Sequence, residues 1–313
     1  MELSLFDLHC DTAFEMYCRN EELGINNLAV SLENAKKFKQ YVQIMALWTD
    51  HRLKDGEGWL QCLRMLEHLR SDPAIQRGNA LLTFHCPTRG SSTPSLLLGL
   101  EDARILEDDL SRIDLLADAG VRILTPLWKG VSCIGGAHDT DVGLTPFGRL
   151  AIARAIERGM VPDISHASEA SAEEIFEIAS ECSVPVIASH SNSYTVCPVS
   201  RNLRDGQIKR ILDCGGLIGL NLYRGFISQK ENVRAEDLLL HIEHFLELGA
   251  CDALSFGCDM DGAELPEDLS NLSLLPTLAE QMLRRNYSES LIHSIYFENA
   301  YRFAKNRFGY ICP

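Results

Sequence analysis

Eight short apolar runs, separated by stretches of helical periodicity, constrain the fold of this chain more than any other feature. They occupy residues 3–6, 41–48, 95–100, 121–127, 160–165, 184–189, 216–222 and 253–257. Runs of four to eight apolar residues without a helical stripe read as buried strands. Between them, residues 32–39, 58–70, 108–119, 146–158, 171–182, 205–214 and 235–248 read as helices, and 274–308 as helical throughout. Helix punctuation agrees in places: Pro146 follows Thr145 at a favoured first position, and the stretch over 108–119 stops at Gly120. A small extra strand is expected over 80–84. Strands alternating with helices pair in parallel. Eight of them favour a closed, TIM-like (β/α)8 barrel over an open sheet. The 313 residues suit a single domain over 1–313 with additional C-terminal helices.

Composition narrows the function by exclusion. Lys+Arg 29 against Asp+Glu 44 leaves a net charge of −15, which argues against nucleic acid or an anionic membrane surface as partner. No stretch approaches the ~18–20 apolar residues of a membrane span, and no basic segment followed by an apolar one opens the chain. Eleven cysteines, an odd number, contain no C-x-x-C pair, so reduced thiols are expected. Cys10 and Cys258 read as small core fillers. A cytoplasmic protein is the expectation. No glycine-rich nucleotide loop follows any strand.

The strand ends carry the chemistry. In a barrel they meet at one face, where such enzymes keep their sites. His9 and Asp11 lie two apart at the end of the first run and so point to the same side. Glu101, His166, His190 and Asp259 follow the third, fifth, sixth and eighth runs. Singly, each has an ordinary reading. His9 could be a hydrogen-bonded core histidine and Asp11 a helix cap. Glu101 could pair with Arg104, and His190 could bond within Ser-His-Ser. Their recurrence at the same end of five of the eight runs outweighs those readings. Imidazoles and carboxylates suit zinc, and the ligand count suggests two Zn²⁺ ions. His9 and Asp11 would serve one, His166 and His190 the other, with Glu101 as the natural bridge. Two close cations can hold a hydroxide and polarise a carbonyl, which is machinery for amide or ester hydrolysis.

With these residues in place, the chain resembles the membrane (renal-type) dipeptidase family, zinc dipeptidases with an amidohydrolase-like barrel. The resemblance rests on ordered motifs along nearly the whole chain: D-L-H-C-D at 7–11, G-L-E at 99–101, G-L-T-P-F-G at 143–148 and D-I-S-H-A-S at 163–168. S-H-S-N at 189–192, R-N at 201–202 and G-C-D-M-D-G at 257–262 continue it. It implies that His9, Asp11, Glu101, His166 and His190 are zinc ligands, with Glu101 bridging. It also implies that Asp259 handles protons and that Arg201 receives the substrate carboxylate, a match to the guanidinium fork. Asp261 competes with Asp259 for its role, and Tyr223 is a further substrate-binding candidate. One departure stands out: the run after the fourth strand lacks the histidine that the family often places there. His138 is the candidate substitute, unless polarisation is left to the metals. The resulting expectation is a metallodipeptidase acting on small dipeptides, including those with a D-residue at the carboxyl side. Hydrolysis of an N-acyl amino acid or a lactone, or a non-catalytic metal-stabilised scaffold, are the alternatives. Expected partners are the dipeptide and, for a homodimer, a second copy of the chain.

Overall fold

Parallel strands arranged in a ring form the centre of the computed structural model, which describes residues 1–309. They are β1 (Leu5–Cys10), β2 (Tyr41–Trp48), β3 (Leu81–Leu82), β4 (Ser95–Glu101), β5 (Val121–Thr125), β6 (Val161–Pro162), β7 (Ile218–Leu220) and β8 (Leu254–Phe256). Their order is β6-β5-β4-β2-β1-β8-β7, with β3 paired outside this path to β4. Parallel bridges from Asp163 to Ile187 and from Ala188 to Ile218 carry the ring from β6 round to β7. The expected barrel therefore forms, with residues 187–188 as its eighth stave.

That stave is thinner than the full strand expected over residues 184–189. Pro185 has no N–H to give a ladder, and the Ser189 N–H is spent on the Asp163 carboxylate at 3.0 Å. Only single bridges to each neighbour remain. The carbonyl of Ser189 also lies so close to β7 and β8 that a Cβ on Gly219 or Gly257 would sit 1.8 or 1.7 Å from it. Glycine is required at both positions by this approach.

Side chains from around the ring fill the barrel interior: Phe6, Leu8, Val42, Ile44, Leu97, Ile123, Val161, Ile187 and Leu217 form one buried cluster. Phe297, Tyr301 and Phe308 from the C-terminal helical segment join the same cluster. A larger cluster, including Met45, Leu96, Leu98, Leu100 and Ile152, packs the strands against the surrounding helices. β1 slips by one residue against β2 between Asp7 and Cys10. Such a bulge re-aims the side chains beyond it, so Leu8 fills the interior while His9 reaches the site.

Other elements shift locally. Helix 32–39 shortens to Leu32–Ala35, and a helix over Thr12–Arg19 follows β1 directly. The continuous helix expected over 274–308 is divided into Leu275–Arg284, Glu289–His293 and Asn299–Phe308, with a π-helical segment between the last two. Asn286, just past the first of these, takes a left-handed conformation, φ 63°. The Ser288 hydroxyl then starts the second by accepting the N–H of Leu291. Residues 310–313, the end of the expected single domain, lie outside the described residues. Among the described residues, no helix is long and apolar enough to cross a membrane.

Candidate metal centre

Six strand-end side chains converge at one mouth of the barrel. β1 delivers His9 and Asp11, and β4 ends on Glu101. His166 follows β6, His190 follows the 187–188 stave, and Asp259 follows β8. His166 and Asp259 take left-handed backbone conformations, φ 68° and 60°. Non-glycine residues adopt these at a cost of about 1–3 kcal/mol, commonly at functional positions.

Glu101 is at the centre. Its Oε1 lies 3.0 Å from His166 Nε2 and 3.3 Å from His190 Nε2, while its Oε2 lies 3.5 Å from His9 Nε2. The two Nε2 atoms of His166 and His190 are 3.0 Å apart. His9 Nε2 is also 3.6 Å from Asp11 Oδ2 and 3.8 Å from Asp259 Oδ1. Two ligand-capable groups, His9–Glu101–His190 and His9–Asp11–Asp259, each bring their atoms within 4.8 Å of one another. Asp259 thus lies beside Asp11 and is not set apart from the ligand-capable residues.

Counting hydrogens tests whether a cation fits. His166 Nδ1 is 3.0 Å from the Trp128 carbonyl, which can only accept, so Nδ1 carries the proton and Nε2 is bare. The Ser189 hydroxyl donates to Asp163 Oδ2 at 2.5 Å and therefore accepts from His190 Nδ1 at 2.7 Å. His190 Nε2 is then bare as well. Burial lowers both imidazoles well below their ordinary pKa, aided by surrounding positive charge, so both are neutral. The two imidazole lone pairs and Glu101 Oε1 face one another, and neither imidazole brings a proton into the space between them. A zinc ion about 2.0 Å from each would hold tetrahedral ligands about 3.3 Å apart, close to the spacing found. His9 Nε2 and Asp11 Oδ1 are buried and have no hydrogen-bond partner. Burial lowers the His9 pKa, but Glu101 and Asp11 overcome this and raise it well above normal. The donor set fits zinc.

Several side chains depart from their ordinary roles. Asp11 occupies the N-cap of the helix over Thr12–Arg19, yet its side chain makes no cap bond. Gly262 permits its placement, since a Cβ there would meet Asp11 Oδ2 at 1.9 Å. Arg104 pairs with Asp102, not Glu101. Asp261 is held by the Thr12 hydroxyl at 2.6 Å and the Ala29 N–H at 2.6 Å, joining two segments near the mouth. Cys10 and Cys258 are buried, and burial raises both thiols.

Above the six residues lies a cavity of about 680 Å³, whose walls include Phe14, Trp48, Trp128, His138, Tyr223 and Phe226. Arg201 is buried behind it, 4% exposed. It donates to Ser191 Oγ at 2.7 Å and the His190 carbonyl at 2.9 Å, while its Nε has no partner. His138 Nδ1 is 3.0 Å from Ser200 Oγ, and its ring centre is 5.9 Å from that of His166. Burial, then Arg201, lowers the His138 pKa to about 4. Burial raises the Asp259 carboxyl, opposed by His9. Asn221 donates to Asp259 Oδ2 at 2.9 Å. The hydrogen bond within Ser-His-Ser that the sequence offered for His190 forms, between its Nδ1 and the Ser189 hydroxyl, and it leaves Nε2 free for a metal; sequence reasoning passes over Asn221 and the Trp128 carbonyl. For Asn221 a signal exists, as a polar residue inside an otherwise apolar run.

The membrane dipeptidase model of peptidase family M19 matches residues 1–307. The chain belongs to the membrane dipeptidase family. This places it among metallodipeptidases. It is 30% identical over 200 residues to an uncharacterized protein in the pqqA 5′ region of Klebsiella pneumoniae, covering 60% of this chain and 73% of that one. Two further relatives are matched over 53% and 49% of their lengths, so the alignments span about half of those proteins. Among solved structures, the family M19 dipeptidase AC superposes with a TM-score of 0.90 at 24% identity, covering 99% of this chain and 100% of that one. A Rhodobacter sphaeroides metallopeptidase liganded with a phosphinate mimic of L-Ala-D-Ala gives 0.87 at 22%, covering 98% and 100%.

Proposed function

We propose that this family member is a binuclear zinc dipeptidase hydrolysing the peptide bond of small free dipeptides. The observation that carries the reading is Glu101, whose two oxygens face His9 on one side and the bare nitrogens of His166 and His190 on the other. His9, Asp11 and Glu101 would hold one ion, and His166, His190 and Glu101 the second. Bound there, the ions would supply Lewis acidity, polarising the scissile carbonyl and acidifying the attacking water. Asp259 takes a proton from that water and returns it to the leaving amine, with its carboxylate oriented by Asn221. Arg201 receives the substrate carboxylate, its fork held by Ser191 and the His190 carbonyl. Tyr223 and His138 contact the substrate from the cavity wall. The L-Ala-D-Ala mimic in the Rhodobacter sphaeroides protein motivates including a D-residue at the carboxyl side. The ten described cysteines, all free, support a cytoplasmic, reducing compartment.

Two variants test the supporting residues. Arg201→Ala is expected to raise KM for free dipeptides by the equivalent of about 2–5 kcal/mol and to leave C-terminally amidated dipeptides nearly unaffected. Equal losses on both substrates would make Arg201 a structural residue. Ser189→Ala removes the acceptor of the His190 Nδ1 proton. Chelator competition should show one zinc weakened by about 10–100-fold, the usual effect of losing a group that orients a ligand. Unchanged zinc affinity would remove Ser189 from that role. Turnover of N-acyl amino acids or lactones, with none of dipeptides, would favour the related amidohydrolase reading.

A further inference from the structure

The ring order gives the cavity two opposed sides. Going round from β1, the staves are β1, β2, β4, β5, β6, residues 187–188, β7 and β8. Arg201 is bonded to His190 and Ser191, immediately past the sixth stave. The stave diametrically opposite is β2, which ends on Trp48. Phe14 packs edge-on against Trp48, with centroids 4.7 Å apart and planes at 87°. Trp128, following β5, also packs against Trp48, at 5.1 Å and 61°. All three line the cavity over the metal centre.

A dipeptide has one residue on each side of its scissile bond. With the carboxylate on Arg201 and the scissile carbonyl at Glu101, the N-terminal residue extends away from Arg201, towards this aromatic wall. We infer that the Phe14–Trp48–Trp128 wall receives the side chain of the N-terminal residue and makes the enzyme prefer dipeptides that begin with an aromatic or large aliphatic residue. The inference rests on the dipeptidase reading above.

Charge along the cavity is mixed, with Lys129 beside Trp128 and the carboxylates of Glu15, Asp139, Asp261 and Glu264 in its lining, and three of those carboxylates are engaged by side chains. Glu15 pairs with Arg19, Glu264 with Arg224, and Asp261 is held by Thr12 and the Ala29 N–H. The Phe14, Trp48 and Trp128 rings form the aromatic part of this side of the cavity, and their edge-to-face packing holds them as a rigid apolar surface.

The test compares X-Ala dipeptides, with X as Gly, Ala, Leu, Phe or Lys, on the zinc-loaded wild type and on Trp48→Ala and Phe14→Ala. A matching Ala-X series serves as the control for the other side. In the wild type, kcat/KM for Phe-Ala and Leu-Ala should exceed that for Gly-Ala by about 10–100-fold, the range open to an apolar pocket. Either variant should shrink that ratio towards unity while leaving the ranking in the Ala-X series intact; Phe14→Ala serves if Trp48→Ala does not fold. A flat wild-type profile, a preference for Lys-Ala, or a ratio unchanged in both variants would overturn the inference with the dipeptidase reading intact. No turnover of any dipeptide would overturn both.

Discussion

Glu101→Gln should lose both zinc ions together, with affinity reduced by more than about 100-fold at each. Loss of a group that merely orients a ligand already costs about 10–100-fold, and here the missing carboxylate faces both clusters. The amide has one acceptor oxygen, no charge and an NH2 that cannot ligate, so it cannot bridge an ion held by His9 and an ion held by His166 and His190. A folding defect is separable from this loss. Burial raises the Glu101 carboxyl above its ordinary range, opposed by His9, so in metal-free protein the ionised form is the costly one. Glutamine removes that cost, and metal-free Glu101→Gln should melt no lower than metal-free wild type near neutral pH. Loss of only one ion, with the other held at wild-type affinity, would show that Glu101 does not bridge.

Asp259→Asn should keep both ions and lower kcat by about 10²–10⁴, the usual span for one general acid–base group. The substitution preserves shape and the contact with Asn221 while removing the proton acceptor. Burial raises the Asp259 carboxyl, and His9 opposes this; a nearby dication would act in the same direction as His9. The geometry also gives the experiment a second outcome, because Asp259 Oδ1 is 3.8 Å from His9 Nε2 and grouped with Asp11. If the variant loses an ion, Asp259 is a ligand. If it keeps both ions and near-normal kcat, proton transfer belongs to another group, and Asp261 and His138 are the next to replace.

The ring was legible because a parallel barrel buries its strands on both faces, leaving apolar runs such as 41–48 and 95–100 with little alternation. The meeting of His9, Asp11, Glu101, His166, His190 and Asp259 followed from the same fact, since parallel strands end at one face. What stayed hidden depends on contacts between distant residues. The run at 184–189 is as apolar as its neighbours, but Ser189 gives both its N–H and its hydroxyl to Asp163, and the ladder thins to single bridges. The bulge in β1 leaves no mark in local periodicity. The break at Asn286 lies inside a helical pattern and depends on one left-handed residue. At the site, residue types pointed to ligands, but tautomers depend on Ser189 and the Trp128 carbonyl, whose partners are fixed only by folding. The pairing of Trp48 with Phe14 and Trp128 likewise joins three separate segments, the end of β2, the helix over Thr12–Arg19 and the loop after β5.

The central claim, a Glu101-centred pair of zinc ions that hydrolyses dipeptides, is tested most directly by titrating metal-depleted protein with Zn²⁺. Bound zinc and the rate of Leu-Ala hydrolysis are followed on the same samples. A binuclear dipeptidase gains activity until two zinc ions per chain are bound, then reaches a plateau. Full activity at one ion per chain, or two bound ions without hydrolysis of the dipeptide, would contradict it.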